Sequence, residues 1–262
     1  MVEKEPKIVV VGASGVAESL VAALSLRTVS PMALMSPTLG HAEQLVERYA
    51  LKSQVVHTLM ELPTDADIYL FAVPDHAVQE VSQAMPATEG VWMHTAASVP
   101  LEELSSIHRS SAVFYPLNTF TKGRPLPLEQ TPLFYEVADQ KAYDAVISLA
   151  HLLQMNGREA SLGVRRQLHV AAVFACNFVN HQWAVATKIL QRAALPVEVL
   201  HPLMQETLQK AIQLGALEGQ TGPARRGDTV TMQTHEQLLA DHPELWQEMY
   251  RLLSRSIACM AK

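Results

Sequence analysis

The chain has 262 residues, a net charge of -6, 48% hydrophobic and 18% charged residues. That balance fits a globular protein with a large core, in one large domain or two moderate ones, and it offers no basic footprint for nucleic acid. Two cysteines without a C-x-x-C, the lack of a signal-peptide h-region and the polar interruptions of the most apolar stretch, Leu168 to Leu190, point to a cytoplasmic protein that does not span a membrane.

The stretch Lys7-Ile-Val-Val-Val-Gly-Ala-Ser-Gly-Val-Ala17 reads as a strand, a glycine turn and a helix start. In that setting a glycine-rich turn holds a dinucleotide pyrophosphate against a helix N-terminus, so Gly12, Ala13, Ser14, Gly15 and Val16 are expected to contact the cofactor. Gly12 and Ala17 fit the first and third places of G-x-G-x-x-G/A. Ser14 puts a Cβ at the second place, and Gly15 falls one residue late. The same pattern also suits a first turn that binds no nucleotide.

Glu18 to Leu26 then reads as helix, Thr28 to Ser36 as a strand broken by Pro31, and His41 to Tyr49 as helix. Ser36-Pro37-Thr38 stands where NAD-preferring folds carry an acidic residue for the ribose hydroxyls. Neither a carboxylate nor an arginine is present, which favours NADP over NAD, with Ser36 and Thr38 as hydroxyl donors to its phosphate. Gln54 to His57 and Asp67 to Val73 are further strands; Val73 and Pro74 end the second of these and are placed beside the cofactor. A helix through Met85, strand Val91 to Thr95, helix Leu101 to Ile107, strands Ala112 to Tyr115 and Leu133 to Val137, and helix Lys141 to Met155 follow. Short strands alternating with helices predict an α/β fold, a Rossmann-like, doubly wound, mostly parallel sheet over residues 1–160.

From Arg165 the patterns are helical, which predicts an all-α domain over 161–262 for substrate binding and dimerisation. At about 100° per residue, Arg166, His169, Asn177 and Asn180 fall in one arc of a long central helix, opposite Phe174 and Phe178. A polar stripe on an apolar helix suits groups that face an interdomain cleft, or groups that satisfy loop backbone inside the domain. On the sheet side, His94 and Ser98 close one strand end and Asn118 and Thr119 another. His94, His169 and Asn177 are the candidate catalytic groups; Ser98, Asn118, Thr119, Arg166, Asn180, Thr221 and Arg226 are the candidate substrate contacts. His94 alternatively only bonds a loop carbonyl. Histidine spacing suggests no metal site, and no tyrosine has a lysine four residues on, which removes the short-chain dehydrogenase pattern.

The segments HTAASVP, FYPLNTF, LHVAAVFACNFVNH and QTGPARRGD in series resemble a bacterial family described as putative NADP oxidoreductases, distantly similar to pyrroline-5-carboxylate reductase and the 6-phosphogluconate dehydrogenase group. The resemblance covers nearly the whole chain and implies a Rossmann-like domain followed by a helical domain of unknown function, which pairs two copies. In the dehydrogenase relatives a central-helix lysine and an asparagine serve substrate and proton transfer. Here Arg166 and His169 stand near the lysine's place and no lysine shares their face. The expected function is an NADP-dependent oxidoreductase acting on a small polar metabolite; the alternative is a non-catalytic, dimeric nucleotide- or metabolite-binding module.

Overall fold

The computed structural model describes residues 5–38 and 40–260. Its first four-residue run, β1 (Ile8–Val11), is buried on both faces, and the alternation of its side chains seeds two cores. Ile8 and Val10 join Leu20, Leu24, Leu70, Met93 and Phe114 on one side; Val9 and Val11 join Phe71, Trp92 and Leu104 on the other. A strand covered on both faces reads as a continuous apolar run, which is the mark of a parallel sheet.

Helix α1 (Gly15–Ser25) follows, then β2 (Ala33–Met35), α2 (His41–Arg48), β3 (Gln54–Val56) and β4 (Ile68–Phe71). The second strand is shorter than its sequence suggests. Thr28 lies in the left-handed region at φ 61°, and the Val29 N–H bonds the Leu24 carbonyl at 3.1 Å, so residues 26–29 finish α1 rather than begin a strand. Helix α3 (Val78–Ala84), β5 (Val91–His94), α4 (Glu102–Ser105), β6 (Ser111–Pro116), β7 (Leu133–Val137), α5 (Gln140–Leu152) and β8 (Gly157–Glu159) complete the layer.

The sheet order is β3-β2-β1-β4-β5-β6-β7-β8, parallel except where β7 runs antiparallel to β6. The order reverses between β1 and β4, which creates a switch point beyond their C-terminal ends, where open α/β sheets bind ligands. The expected Rossmann-like class is what the chain adopts. Edge strand β8 escaped the sequence reading because Gly-Arg-Glu has no apolar pattern and all three residues are exposed.

The chain divides into two compact units, Met1–Cys176 and Asn177–Lys262. Helix α6 (Leu162–Ala172) belongs to the first. A π-helical segment, Val173–Phe178, follows it and carries the division. The second unit holds α7 (Val179–Arg192), α8 (His201–Leu214), the short α9 (Pro223–Arg226), α10 (Thr229–Leu238) and α11 (Glu244–Met260). Among the described residues no strand follows Glu159, and no helix is long and apolar enough to cross a membrane.

The glycine that falls late in the first turn has a structural cause. A Cβ on Gly15 would lie 2.9 Å from the Thr121 amide nitrogen and 3.0 Å from the Phe120 carbonyl carbon. Helix propensity alone favours alanine by about 1 kcal/mol, but a backbone clash at that distance outweighs it. Gly15→Ala is expected to destabilise the fold by about 1–3 kcal/mol, as overpacking does. Urea denaturation checks this, and an unchanged or higher midpoint would contradict it.

Candidate functional site

The switch point is built from the turn after β1 and the end of β4. Gly12 has φ 108°, and a Cβ there would stand 2.5 Å from the Ala72 carbonyl oxygen and 3.1 Å from Val73 Cγ1. Only glycine allows that approach. Ser14 uses the same carbonyl: its hydroxyl donates to Ala72 O at 2.8 Å and accepts from the Ala17 N–H at 3.3 Å, capping α1. The Cβ that looks like a flaw in the fingerprint thus carries a bond between the turn and β4. Gly12, Ser14 and Val73 come together here, with Pro74 next along. Among the described residues the N–H groups of Gly15 and Val16 have no protein partner. Two free donors at a helix start beside a glycine-bearing turn fit a pyrophosphate.

The end of β2 differs from expectation. Ser36 is buried, and its hydroxyl bonds the Thr38 N–H and carbonyl, both at 3.3 Å, within its own turn. It therefore offers nothing outward, and the exposed Thr38 is the hydroxyl this loop presents.

His94 ends β5 with no solvent exposure. Its Nδ1 accepts from the Ala96 N–H at 3.2 Å, and its Nε2 is buried without a hydrogen-bond partner. Burial, reinforced by the Arg165 charge, pushes its pKa down to about 3. A ring in that setting is neutral at physiological pH and acts by ordering residues 95–100. This departs from the general acid expected of it.

The same loop is clasped from α6. Arg165 is fully buried and donates to the carbonyls of Ala160 and Val99, each at 3.0 Å, to that of Ala97 at 3.4 Å, and to the Glu136 carboxylate. Arg166 donates to the Ser98 carbonyl at 3.1 Å. Consecutive arginines thus hold three consecutive carbonyls, and Arg166 and Ser98, both expected to touch substrate, first touch each other. Nothing in the sequence marked Arg165 apart from its neighbour, because a buried arginine is rare and its carboxylate partner lies 29 residues away.

At the end of β6 stands a pair that the sequence did not bring together. The Tyr115 hydroxyl lies 3.5 Å from His169 Nδ1. Tyr115 is buried, and burial followed by the nearby Asp75 charge raises its pKa. His169 is exposed on α6, so the pair joins a buried hydroxyl to an accessible ring. Asn118 serves its own loop: its Nδ2 donates to Thr131 Oγ1 at 3.0 Å and its Oδ1 accepts from the Thr119 N–H at 2.8 Å, leaving Thr119 exposed.

The central helix does not keep one α-helical period along its length. The arc used a single α-helical period from Arg166 to Asn180, but Val173–Phe178 is π-helical, with i→i+5 bonding and a wider turn. Arg166 and His169 therefore share one α-helix of the first unit, whereas Asn177 lies in the π segment and Asn180 in α7. In the second unit Asn177, Asn180, Thr221 and Arg226 are all exposed, and Asp228 caps α10 through the Thr231 N–H and hydroxyl at 3.0 and 2.7 Å.

Residues 131–257 match a family model described as a domain of unknown function, DUF2520. No curated protein matches the chain. Among solved structures, the chain is similar to the "putative NADP oxidoreductase BF3122" of Bacteroides fragilis, with 32% identity, a TM-score of 0.88, and 97% of this chain and 98% of that one covered. A reductive aminase from Aspergillus terreus, in complex with NADPH and ethyl levulinate, shares the fold at 14% identity and a TM-score of 0.71, over 97% and 94% of the two chains. A pyrroline-5-carboxylate reductase from Coxiella burnetii shares it at 14% identity and 0.57, over 98% of each.

The His94 environment makes a pH prediction. Its folded pKa is depressed to about 3, while the unfolded ring titrates near 6.5. Below about pH 6.5 the unfolded chain takes up a proton that the folded chain refuses, so stability falls as pH falls toward the folded value. Each pH unit in that window costs about 1.4 kcal/mol, or about 2 kcal/mol between pH 6.5 and 5. His94→Asn should lower stability at pH 7.5 and flatten this part of the profile. Parallel pH-stability curves for the two proteins would refute the assignment.

Proposed function

The chain belongs to the same family as the Bacteroides fragilis protein described as a "putative NADP oxidoreductase", and on that premise we propose that it is an NADP-dependent oxidoreductase acting on a small polar metabolite. One observation carries the reading. The C-terminal edge of the parallel strands β1 to β6 carries both a donor-bearing helix start at its switch point and, at the end of β6, the Tyr115–His169 pair.

When bound, NADPH supplies a hydride. The N–H groups of Gly15 and Val16 would hold its pyrophosphate, with no side chain at position 12 to obstruct it. His169 holds the proton that the reduced carbonyl or imine takes up. Tyr115 fixes the ring through Nδ1, which leaves Nε2 to face substrate. Burial, followed by the Asp75 charge, raises the cost of ionising Tyr115, so the tyrosine stays a neutral hydrogen-bonding group. Arg166 and Thr119 bind substrate on this side. His94 orders the 95–100 loop and transfers no proton.

A non-catalytic binding module is the second reading, favoured by the absence of a lysine beside His169. The two readings separate under mutation. Fluorescence titration is expected to show NADPH binding more tightly than NADH; binding of neither would end both readings that invoke the dinucleotide. In an NADPH-oxidation assay over a panel of small ketones and imines, His169→Ala should cut turnover about 100-fold with an unchanged NADPH Kd. Turnover unaffected by that change would remove His169 from the chemistry.

We further propose a homodimer formed through the helical unit. Leu203, Leu208, Ile212, Val230, Leu245 and Leu252 are each at least 60% exposed, more apolar surface than one short helical unit leaves to water without a partner. A second copy related by twofold symmetry covers it. Sedimentation at micromolar concentration checks this, and a monomer is the outcome against it.

A further inference from the structure

An NADP site needs positive charge for the 2′-phosphate, and the loop after β2 supplies none: it has no arginine, and Ser36 is turned inward. The charge reaches that end of the sheet from elsewhere. Residues 120–126 are pinned to α1 at three places. The bare Cα of Gly15 admits the Thr121 backbone. The buried Glu18 accepts from the Gly123 N–H at 2.6 Å, and the buried Ser19 hydroxyl accepts from the Leu126 N–H at 3.2 Å.

Within that span the Arg124 N–H bonds the Thr121 carbonyl at 3.2 Å, closing a tight turn with Lys122 near its tip. Lys122 Nζ comes within 3.5 Å of Nδ1 of His41, 81 residues earlier, at the first position of α2. Three basic side chains of the first unit meet carboxylates: Lys7 meets Asp65, Arg48 meets Glu18, and Arg165 meets Glu136. Lys122 instead meets another basic group. The nearby acids are engaged elsewhere: Glu18 by Arg48, Tyr49 and Gly123, and Glu43 by His57 at 3.3 Å.

We propose that Lys122 and His41 together bind the 2′-phosphate of the cofactor and so set the choice of NADP over NAD. The inference rests on the NADP reading above. Lysine meets a phosphate as a compact point charge with rotatable donors, and a ring nitrogen beside it adds a second donor once an anion takes the place between them. The Gly15, Glu18 and Ser19 contacts act as the positioning device, because they fix the turn that carries Lys122.

Calorimetry with 2′,5′-ADP and 5′-AMP, on the full-length protein, separates the possibilities. The wild type should prefer 2′,5′-ADP. Lys122→Gln should weaken 2′,5′-ADP about tenfold and His41→Asn by a smaller factor, with 5′-AMP unmoved; thermal melting confirms that each variant is folded. Should the wild type prefer 2′,5′-ADP and both variants keep that preference, the phosphate is held elsewhere and this proposal fails while the NADP reading stands. Equal affinity of the wild type for the two nucleotides also overturns it, and leaves only a dinucleotide site without phosphate selectivity. Binding of neither nucleotide defeats the NADP reading and the proposal together.

Discussion

The approach of two backbones at the switch point governs the rest of this molecule. β1 and β4 are hydrogen-bonded along their length, and the chain leaving β1 must turn directly past the Ala72 carbonyl. Glycine at position 12 makes the passage possible, and Ser14 turns that carbonyl into a tether for α1. The helix start is thereby fixed against the sheet edge with two amides facing outward. A glycine at position 14 would leave the turn bound by fewer contacts. The departure from the usual fingerprint therefore substitutes a rigid turn for an open one.

Charge burial organises the other strand ends. Taking an arginine fully out of water costs several kcal/mol unless its donors are met, and Arg165 meets them with three carbonyls and a carboxylate. The result is a loop, residues 97–99, held from outside by a helix that belongs to the same compact unit. Glu18 follows the same logic with opposite sign. Burial pushes its carboxyl pKa up, but bonds from Gly123, Tyr49 and Arg48 outweigh that and hold it below the usual range. One buried charge orders the loop after β5, and the other orders the loop after β6.

The fold was legible in the sequence because burial of a parallel sheet writes itself as apolar runs at regular intervals; seven of the eight strands carry such a run, and Gly157–Glu159 does not. The glycine turn was legible as a place, but the partners of Gly15 were not, since Phe120 and Thr121 lie about a hundred residues away. His94 stood out by residue type and by its place at a strand end, and neither says how deeply the ring is buried. Tyr115 was overlooked because a tyrosine at the end of an apolar strand looks like core; only the folded chain sets its hydroxyl beside His169. The central-helix arc went astray for a different reason. A π-helical segment leaves no reliable trace in a hydrophobic pattern, so a single period was carried across Val173–Phe178.

These points bear on where the proton chemistry can sit. A neutral imidazole sealed at the end of β5 can neither collect a proton from water nor pass one on, because the same desolvation that lowers its pKa also removes the route to solvent. The ring on α6 has the opposite setting: His169 is exposed, and its inner nitrogen faces a hydroxyl that burial keeps protonated. A group that must load from water and unload onto substrate needs one wet face and one fixed face. Among the histidines expected to act, His169 has both, and the fixed face depends on β6 carrying Tyr115 to the edge of the sheet. The loop that leaves β6 also reaches α1 and places Lys122. A single strand end thus positions both the Tyr115–His169 pair and the turn that carries Lys122, the groups to which the proposed proton transfer and cofactor choice are assigned.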